Sequence, residues 1–401
     1  MKHYIKWVPG LAGLLVAASL QAQPPELTPR QYEQLTRLAD ALQEQRLDEA
    51  LELGQPLFQQ PTGNSEQQAF VRAFAARVLA QAYQQQDDLQ AAADILKEAL
   101  KQAEDLDQQT LQALRWLLVQ ILIGQSDHAA ALNQLELWWS SEPEPRPEAL
   151  YLRSALLAQL ERWSEAEPWI LAALKEHQGQ PLDAWLALAV AVLQRQEKWA
   201  AAAEHQAARL EANPERPRLW NQLAQLQKMA EQPDEALVTQ ELAQRRGYLS
   251  VREQENLGRE LLNAGQPLRA AQVFEQLLEK NPEEKNTQLL RLLAQAWMQT
   301  SQPQPTAEAL QQLAEASQNK EDWRRLADWH FSQGHWEAAI SAWVQLRPQL
   351  DEEGRAQVEL QMANAYIELQ KYPQARQLLE ELLESSQETA ARQWINYLDA
   401  L

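Results

Sequence analysis

A short alternation of large and small residues at Leu257–Pro282 constrains this chain more than any other feature. Leu257, Gly258 and Leu261 come first, followed by a turn at Gly265-Gln266-Pro267. Ala270, Phe274 and Leu277 follow, and Pro282 closes the unit. The spacings on either side of the turn predict two helices folded against each other. A small residue on the first helix lets a small residue on the second approach, so the two backbones pack closely. The large residues fill the space toward the next unit. One such unit cannot bury its own apolar face, so several must stack.

The constellation recurs at a period of about 34 residues. Ala80 and Tyr83 answer Ala92, Leu96 and Ala99; Val119 and Leu122 answer Ala131, Leu135 and Trp138. Ser154 and Leu157 answer Ala166, Ile170 and Ala173, and Met362, Ala363 and Tyr366 answer Ala375, Leu379 and Leu382. Nine units are recognisable, preceded by a half-formed one at Tyr32–Phe58, and the unit opened by Ala294 and Trp297 has a longer internal loop at Ser301–Thr306. The chain is rich in Ala, Leu, Gln and Glu, which favours helix throughout, and no period-2 run reads as a strand. Its 401 residues are long for one compact core but ordinary for a stack of repeats. The pattern resembles the tetratricopeptide repeat (TPR). That resemblance implies an all-α TPR α-solenoid, a right-handed superhelix of helix-turn-helix repeats, which offers a binding surface and brings no chemistry of its own.

Lys2 and Lys6, the apolar stretch from Trp7 to Leu20, and the small residues up to Ala22 read as a secretory signal peptide over residues 1–22. Residues 23–140 read as an N-terminal array and 149–388 as a C-terminal array. The Pro-rich joint at 141–148 reads equally as a hinge or as an ordinary loop, because proline removes backbone donors and disfavours helix before it. Residues 389–401 read as a capping helix in which Trp394 and Leu398 cover the last repeat. No later apolar run has membrane length, so a periplasmic protein without membrane insertion after signal cleavage is expected.

The net charge of −20 argues against nucleic acid and anionic lipid as partners. The absence of cysteine excludes disulfides, thiolate metal sites and a cysteine nucleophile. The six histidines form no i,i+4 pair or ligand cluster, and His330 and His335 flank a turn. No phosphate-binding glycine loop or nucleophile elbow occurs. No enzyme, metal or cofactor is therefore expected.

Trp163, Trp199, Trp336 and Tyr372 fall where second helices begin, and Trp220 and Trp323 lie in the first turn of first helices; all six read as core. Trp138 and Trp139 point about 100° apart on a helix, so they cannot share one core. One of them either anchors a partner or packs under the following loop.

In TPR arrays the inner wall is lined mainly by the first helix of each pair. Placing that frame here gives Arg218, Asn221, Gln225 and Lys228, then Arg252, Arg259 and Asn263, then Arg291 and Gln295, then Arg324 and Asn364. The set is basic and amide-rich in an acidic chain, although Glu255 and Asp328 interrupt it. It suits an extended or helical peptide with acidic groups, unless each arginine is tied to an acid on a neighbouring helix. The Lys/Asn set with which some TPRs clamp a C-terminal carboxylate is not present in any unit.

Trp220–Leu226, Glu235-Ala236-Leu237, Arg246-Gly247-Tyr248-Leu249, the run Gly265–Glu275 and the ending Ala390–Leu398 resemble one group more closely. It is the secreted TPR proteins of gammaproteobacteria whose genes accompany TonB–ExbB–ExbD energy-transduction systems. The resemblance covers about half of the chain. It implies a periplasmic accessory that contacts a TonB-like transducer or an outer-membrane receptor. A TPR scaffold for envelope assembly, in polysaccharide export or cell-wall synthesis, is the alternative, and a solute-binding protein a weaker third.

Overall fold

The computed structural model describes residues 25–140, 146–179 and 182–400. The signal-peptide segment 1–22 and residues 141–145 of the Pro-rich joint lie outside the described residues. The described residues hold 21 α-helices and no strand. They divide into two compact units, Met1–Glu231 and Gln232–Leu401.

In the first unit, consecutive helices pack as antiparallel hairpins: α1 (Pro29–Gln43) with α2 (Leu47–Gln59), and α3 (Ser65–Gln85) with α4 (Leu89–Lys101). The next hairpins are α5 (Gln108–Gly124) with α6 (His128–Trp139), α7 (Pro147–Gln159) with α8 (Trp163–Glu176), and α9 (Asp183–Arg195) with α10 (Trp199–Ala212). α11 (Pro217–Met229) packs on α10. In the second unit α12 (Pro233–Arg245) precedes four hairpins: α13 (Val251–Asn263) with α14 (Pro267–Lys280), α15 (Thr287–Met298) with α16 (Pro303–Ser317), α17 (Lys320–Ser332) with α18 (Trp336–Leu346), and α19 (Glu352–Glu368) with α20 (Tyr372–Glu381). α21 (Glu388–Asp399) ends the unit.

The hairpins share one turn. Past the end of the first helix a backbone N–H reaches back into its last turn: Arg46 to the Ala41 carbonyl (2.8 Å), Asp88 to Tyr83 (2.9 Å), Lys198 to Leu193 (3.0 Å), Gln266 to Leu261 (2.8 Å) and Lys371 to Tyr366 (2.8 Å). The residue just before each of these donors has positive φ: Gln45, Asp87, Glu197, Gly265 and Gln370. This closure satisfies carbonyls that the helix end leaves open. The α15/α16 turn is built differently. Its loop is residues 299–302 rather than Ser301–Thr306, because Pro303 begins α16, where a missing N–H costs nothing. There the buried Thr306 hydroxyl donates to the Trp297 carbonyl at 3.0 Å.

Close approach within hairpins rests on the small residues. The Ser154 hydroxyl donates to the Ala166 carbonyl at 2.8 Å across α7 and α8. Gly258 takes the Phe274 ring against its backbone; a Cβ there would lie 2.3 Å from the ring. The half-formed unit is a complete hairpin, because Gly54 of α2 leaves room for Leu79 of α3, 2.7 Å from where a Cβ would stand. One apolar core runs through the first unit from Leu38 to Val192, and it includes both Trp138 and Ala149 on either side of the Pro-rich segment. In the second unit Trp394, Ile395 and Leu398 of α21 pack on Ala363, Leu379 and Leu382, closing the last hairpin.

Trp220 and Trp323 are buried as expected. Trp163, Trp199 and Trp336 are only half-buried, and Tyr372 is 39% exposed. They open the second helix beside the turn, so they roof the turn instead of filling the core. Trp336, for example, stacks edge-on against Phe331 at 5.0 Å.

Two glycines separate the two constraints. Gly258→Ala overpacks the α13/α14 contact and should cost about 1–3 kcal/mol. Gly265→Ala meets no atom within 4 Å and should cost about 1 kcal/mol through its φ of +70° alone. Asparagine, which tolerates positive φ, should rescue position 265 and worsen position 258 in urea-denaturation midpoints.

Candidate functional site

The eleven wall residues fall on both compact units. Arg218, Asn221, Gln225 and Lys228 belong to α11 of the first unit, with Asn221 half-buried and the others exposed. Arg252, Arg259 and Asn263 lie along α13, Arg291 and Gln295 on α15, Arg324 on α17 and Asn364 on α19, all in the second. Arg252 and Arg259 are two turns apart and Asn263 is one turn further, so these three share a face of α13.

The arginines are not equivalent. Arg259 pairs with Glu255 one turn earlier on its own helix. Arg291 donates to Asp322 at 2.9 Å, across to the next hairpin. Arg325 donates to the other oxygen of Asp322 at 3.3 Å, and the Asp322 side chain is 2% exposed. The two guanidiniums thus close over a buried carboxylate and join α15 to α17. Arg324 is exposed near Asp328, whose carboxyl is raised by burial against the pull of that arginine. Arg218, Arg252 and Arg324 make no ion pair among the described residues. Asn364 is half-buried and its side-chain oxygen has no donor.

Sequence reasoning missed a second cation cluster because three helices assemble it. Asp183 at the start of α9 accepts from Arg209 Nε at 2.9 Å and from Arg216 Nη1 at 3.1 Å. Burial raises the Asp183 carboxyl, but bonds to the two arginines outweigh it and leave the group below its ordinary value. The question of Trp138 and Trp139 is resolved by packing. Trp138 is buried; half-buried Trp139 meets Trp169 of the following hairpin edge-on at 5.4 Å. The Arg153 guanidinium lies 4.1 Å over Trp169 and 5.3 Å over Trp139. Trp138 is thus enclosed in the array, while Trp139 packs one side of its ring on the following hairpin.

Among the described residues no group of three His, Cys, Asp or Glu is placed to hold a metal ion, and no helix is long and apolar enough to cross a membrane. The rings of His330 and His335 stand 5.8 Å apart, and His330 Nδ1 is buried without a partner.

These groups generate two predictions. Asp322→Ala leaves two arginines facing an emptied site and should cost about 2 kcal/mol, whereas Arg291→Ala, an exposed partner, should cost about 1 kcal/mol or less in thermal melts. Burial, reinforced by His335, lowers His330, and burial lowers His205. Their neutral forms are the folded ones, so this stability is complete above about pH 6.5 and is lost as pH falls through that value. Asp328 and Glu275, both raised by burial, act in the opposite sense in the lower, carboxylate range. The melting temperature should fall between about pH 7.5 and pH 5.5, and His330→Gln should flatten that fall.

Residues 256–321, from within α13 through α16 to the first residues of α17, match the tetratricopeptide repeat family model. No curated protein matches the sequence. Similar solved structures include a tetratricopeptide repeat protein from Parabacteroides merdae ATCC 43184, with 18% identity over 67% of this chain and 99% of that one, at a TM-score of 0.39. YrrB, described as a TPR protein with an unusual peptide-binding site, has 15% identity over 43% of this chain and 84% of its own, with a TM-score of 0.36. The APC/C hetero-tetramer Cut9–Hcn1 matches at 16% identity over 91% of this chain and 96% of that one, with a TM-score of 0.33. The repeating helical hairpins and the family match at 256–321 identify the chain as an all-α solenoid that contains tetratricopeptide repeats.

Proposed function

We propose that this chain is a non-catalytic periplasmic scaffold that binds a protein partner and serves TonB-dependent transport across the outer membrane. The observation that carries the scaffold reading is the TPR match at 256–321, a repeat whose stacked helices form extended binding surfaces. Export rests on the basic and apolar pattern of residues 1–22. The link to energy transduction rests on the sequence resemblance at Trp220–Leu226, Gly265–Glu275 and Ala390–Leu398.

On the second unit, exposed Arg252, Asn263, Gln295 and Arg324 are the contact residues of this reading. Arg259 and Arg291 stand beside them but are engaged by Glu255 and Asp322, so they shape the wall more than they read a ligand. An acidic segment of the partner suits such a surface, since opposite potentials speed encounter and fix register.

Crosslinking in the intact periplasm, followed by pull-down and mass spectrometry, tests the proposal. Recovery of a TonB-like transducer or an outer-membrane receptor supports it. Recovery of cell-wall or polysaccharide-export enzymes alone overturns it in favour of envelope assembly. The double variant Arg252→Glu, Arg324→Glu should lower partner recovery about tenfold, equivalent to roughly 1.4 kcal/mol, without moving the melting temperature.

A further inference from the structure

The first unit carries a cleft of about 440 Å³ lined by Arg209, Glu215, Arg216, Pro217, Leu219 and Gln222, with Arg218 at its side. It lies where the end of α10 meets the start of α11. Its donors are organised from below. Gln206, fully buried on α10, donates to the Leu219 carbonyl at 3.1 Å and to Gln222 Oε1 at 3.2 Å. The same Gln206 accepts from Arg209 Nη1 at 3.3 Å, while Arg209 Nε donates to Asp183 at 2.9 Å. Arg209 is therefore held on two sides and serves as a fixed wall.

Arg216 spends Nη1 on Asp183 at 3.1 Å and approaches Glu215 only at 3.9 Å, so most of its donors face outward. Arg218 is exposed and makes no ion pair among the described residues. Gln222 uses its oxygen toward Gln206, which leaves its amide hydrogens for a ligand. Three guanidiniums meet two carboxylates, Asp183 and Glu215, and the local balance is one positive charge in a chain of net charge −20. The first turn of α11 has no side-chain cap, and its dipole adds to the same sign.

From this geometry we infer that the cleft is an anchor for one carboxylate side chain, an Asp or Glu of a partner peptide, held by Arg218, Arg216 and the Gln222 amide. The inference rests on the scaffold reading above but uses a different surface, in the first unit. A single carboxylate balances the single excess charge and accepts paired guanidinium donors in one plane. A phosphate carries about 1.5 to 2 negative charges and would leave an excess that the surrounding acidic surface opposes. Pro217 and Leu219 supply apolar surface against which the methylenes of a Glu side chain can lie.

The test uses the full chain and a fluorescein-labelled hexaglutamate peptide, with hexaglutamine as control and inorganic phosphate as competitor. Hexaglutamate should bind in a salt-dependent way and hexaglutamine should not. Arg218→Glu should weaken binding at least about tenfold, and Arg30→Glu, at an exposed arginine of α1 outside both proposed surfaces, should leave it unchanged. Arg218→Gln repeats the test without charge reversal, and an unchanged melting temperature shows that either variant folds. If hexaglutamate binds but only Arg252→Glu weakens it, the cleft is not the anchor and the wall on the second unit stands. Failure of hexaglutamate to bind, or displacement of the peptide by phosphate at equal concentration, overturns the carboxylate assignment while leaving the pull-down result untouched.

Discussion

Every hairpin depends on the way its chain turns back. In the α13/α14 turn the Gln266 N–H closes on the Leu261 carbonyl, and Gly265, just before that donor, takes positive φ. The chain reverses within three residues, and this places Phe274 over Gly258. Where the left-handed residue is Gly265 or Gly334, the conformation is free of steric cost. At Gln45, Glu161, Glu197 or Gln370 it costs about 1–2 kcal/mol. The hydrogen bonds and the apolar burial that the reversal permits offset that strain.

Once the hairpins are closed, charge placement decides how they join and what remains for a partner. Buried Asp322 draws Arg291 and Arg325 together, and Asp183 does the same for Arg209 and Arg216. Glu167 engages Lys198 across adjacent hairpins at 2.6 Å, and Glu241 engages Arg269. Where the cation is exposed, as at Lys198 and Arg269, its share of the pair contributes little to stability. The larger consequence of these pairs is to consume cations. The chain carries 36 Lys and Arg against 56 Asp and Glu, and an exposed arginine left without an acid keeps its donors for a partner. Arg218, Arg252 and Arg324 are of that kind among the described residues, and both binding surfaces proposed above are built around them.

The helical hairpins were legible because their pattern repeats: small residues such as Ala80 and Ala92, or Gly258 and Ala270, return at fixed places in successive units. The first hairpin was only half legible, since Gly54 gains its meaning from Leu79 on another helix. The tryptophans at the start of second helices misled for the same reason. A position in the repeat says which face a residue occupies but not how deeply the neighbouring turn covers it. Trp336 shares its environment with Phe331 and ends half-buried, while Trp343, two turns later, is wholly enclosed. The apolar core passes from Trp138 to Ala149, whereas the compact units part at 231/232, where no proline-rich run marks the boundary.

The amino-acid sequence by itself determined the helical class, the hairpin period and the poverty of reactive side chains, because each follows from residue type and short-range spacing. It also placed a set of basic and amide residues on the first helices. The tertiary structure decided which of those residues remain available. Arg291 and Arg324 occupy equivalent places in the pattern, three residues before Ala294 and Ala327, yet one closes over a buried aspartate and the other stands exposed without an acid. The difference lies in Asp322, 31 positions away on the next hairpin, and an ion pair between helices exists only after the helices have packed.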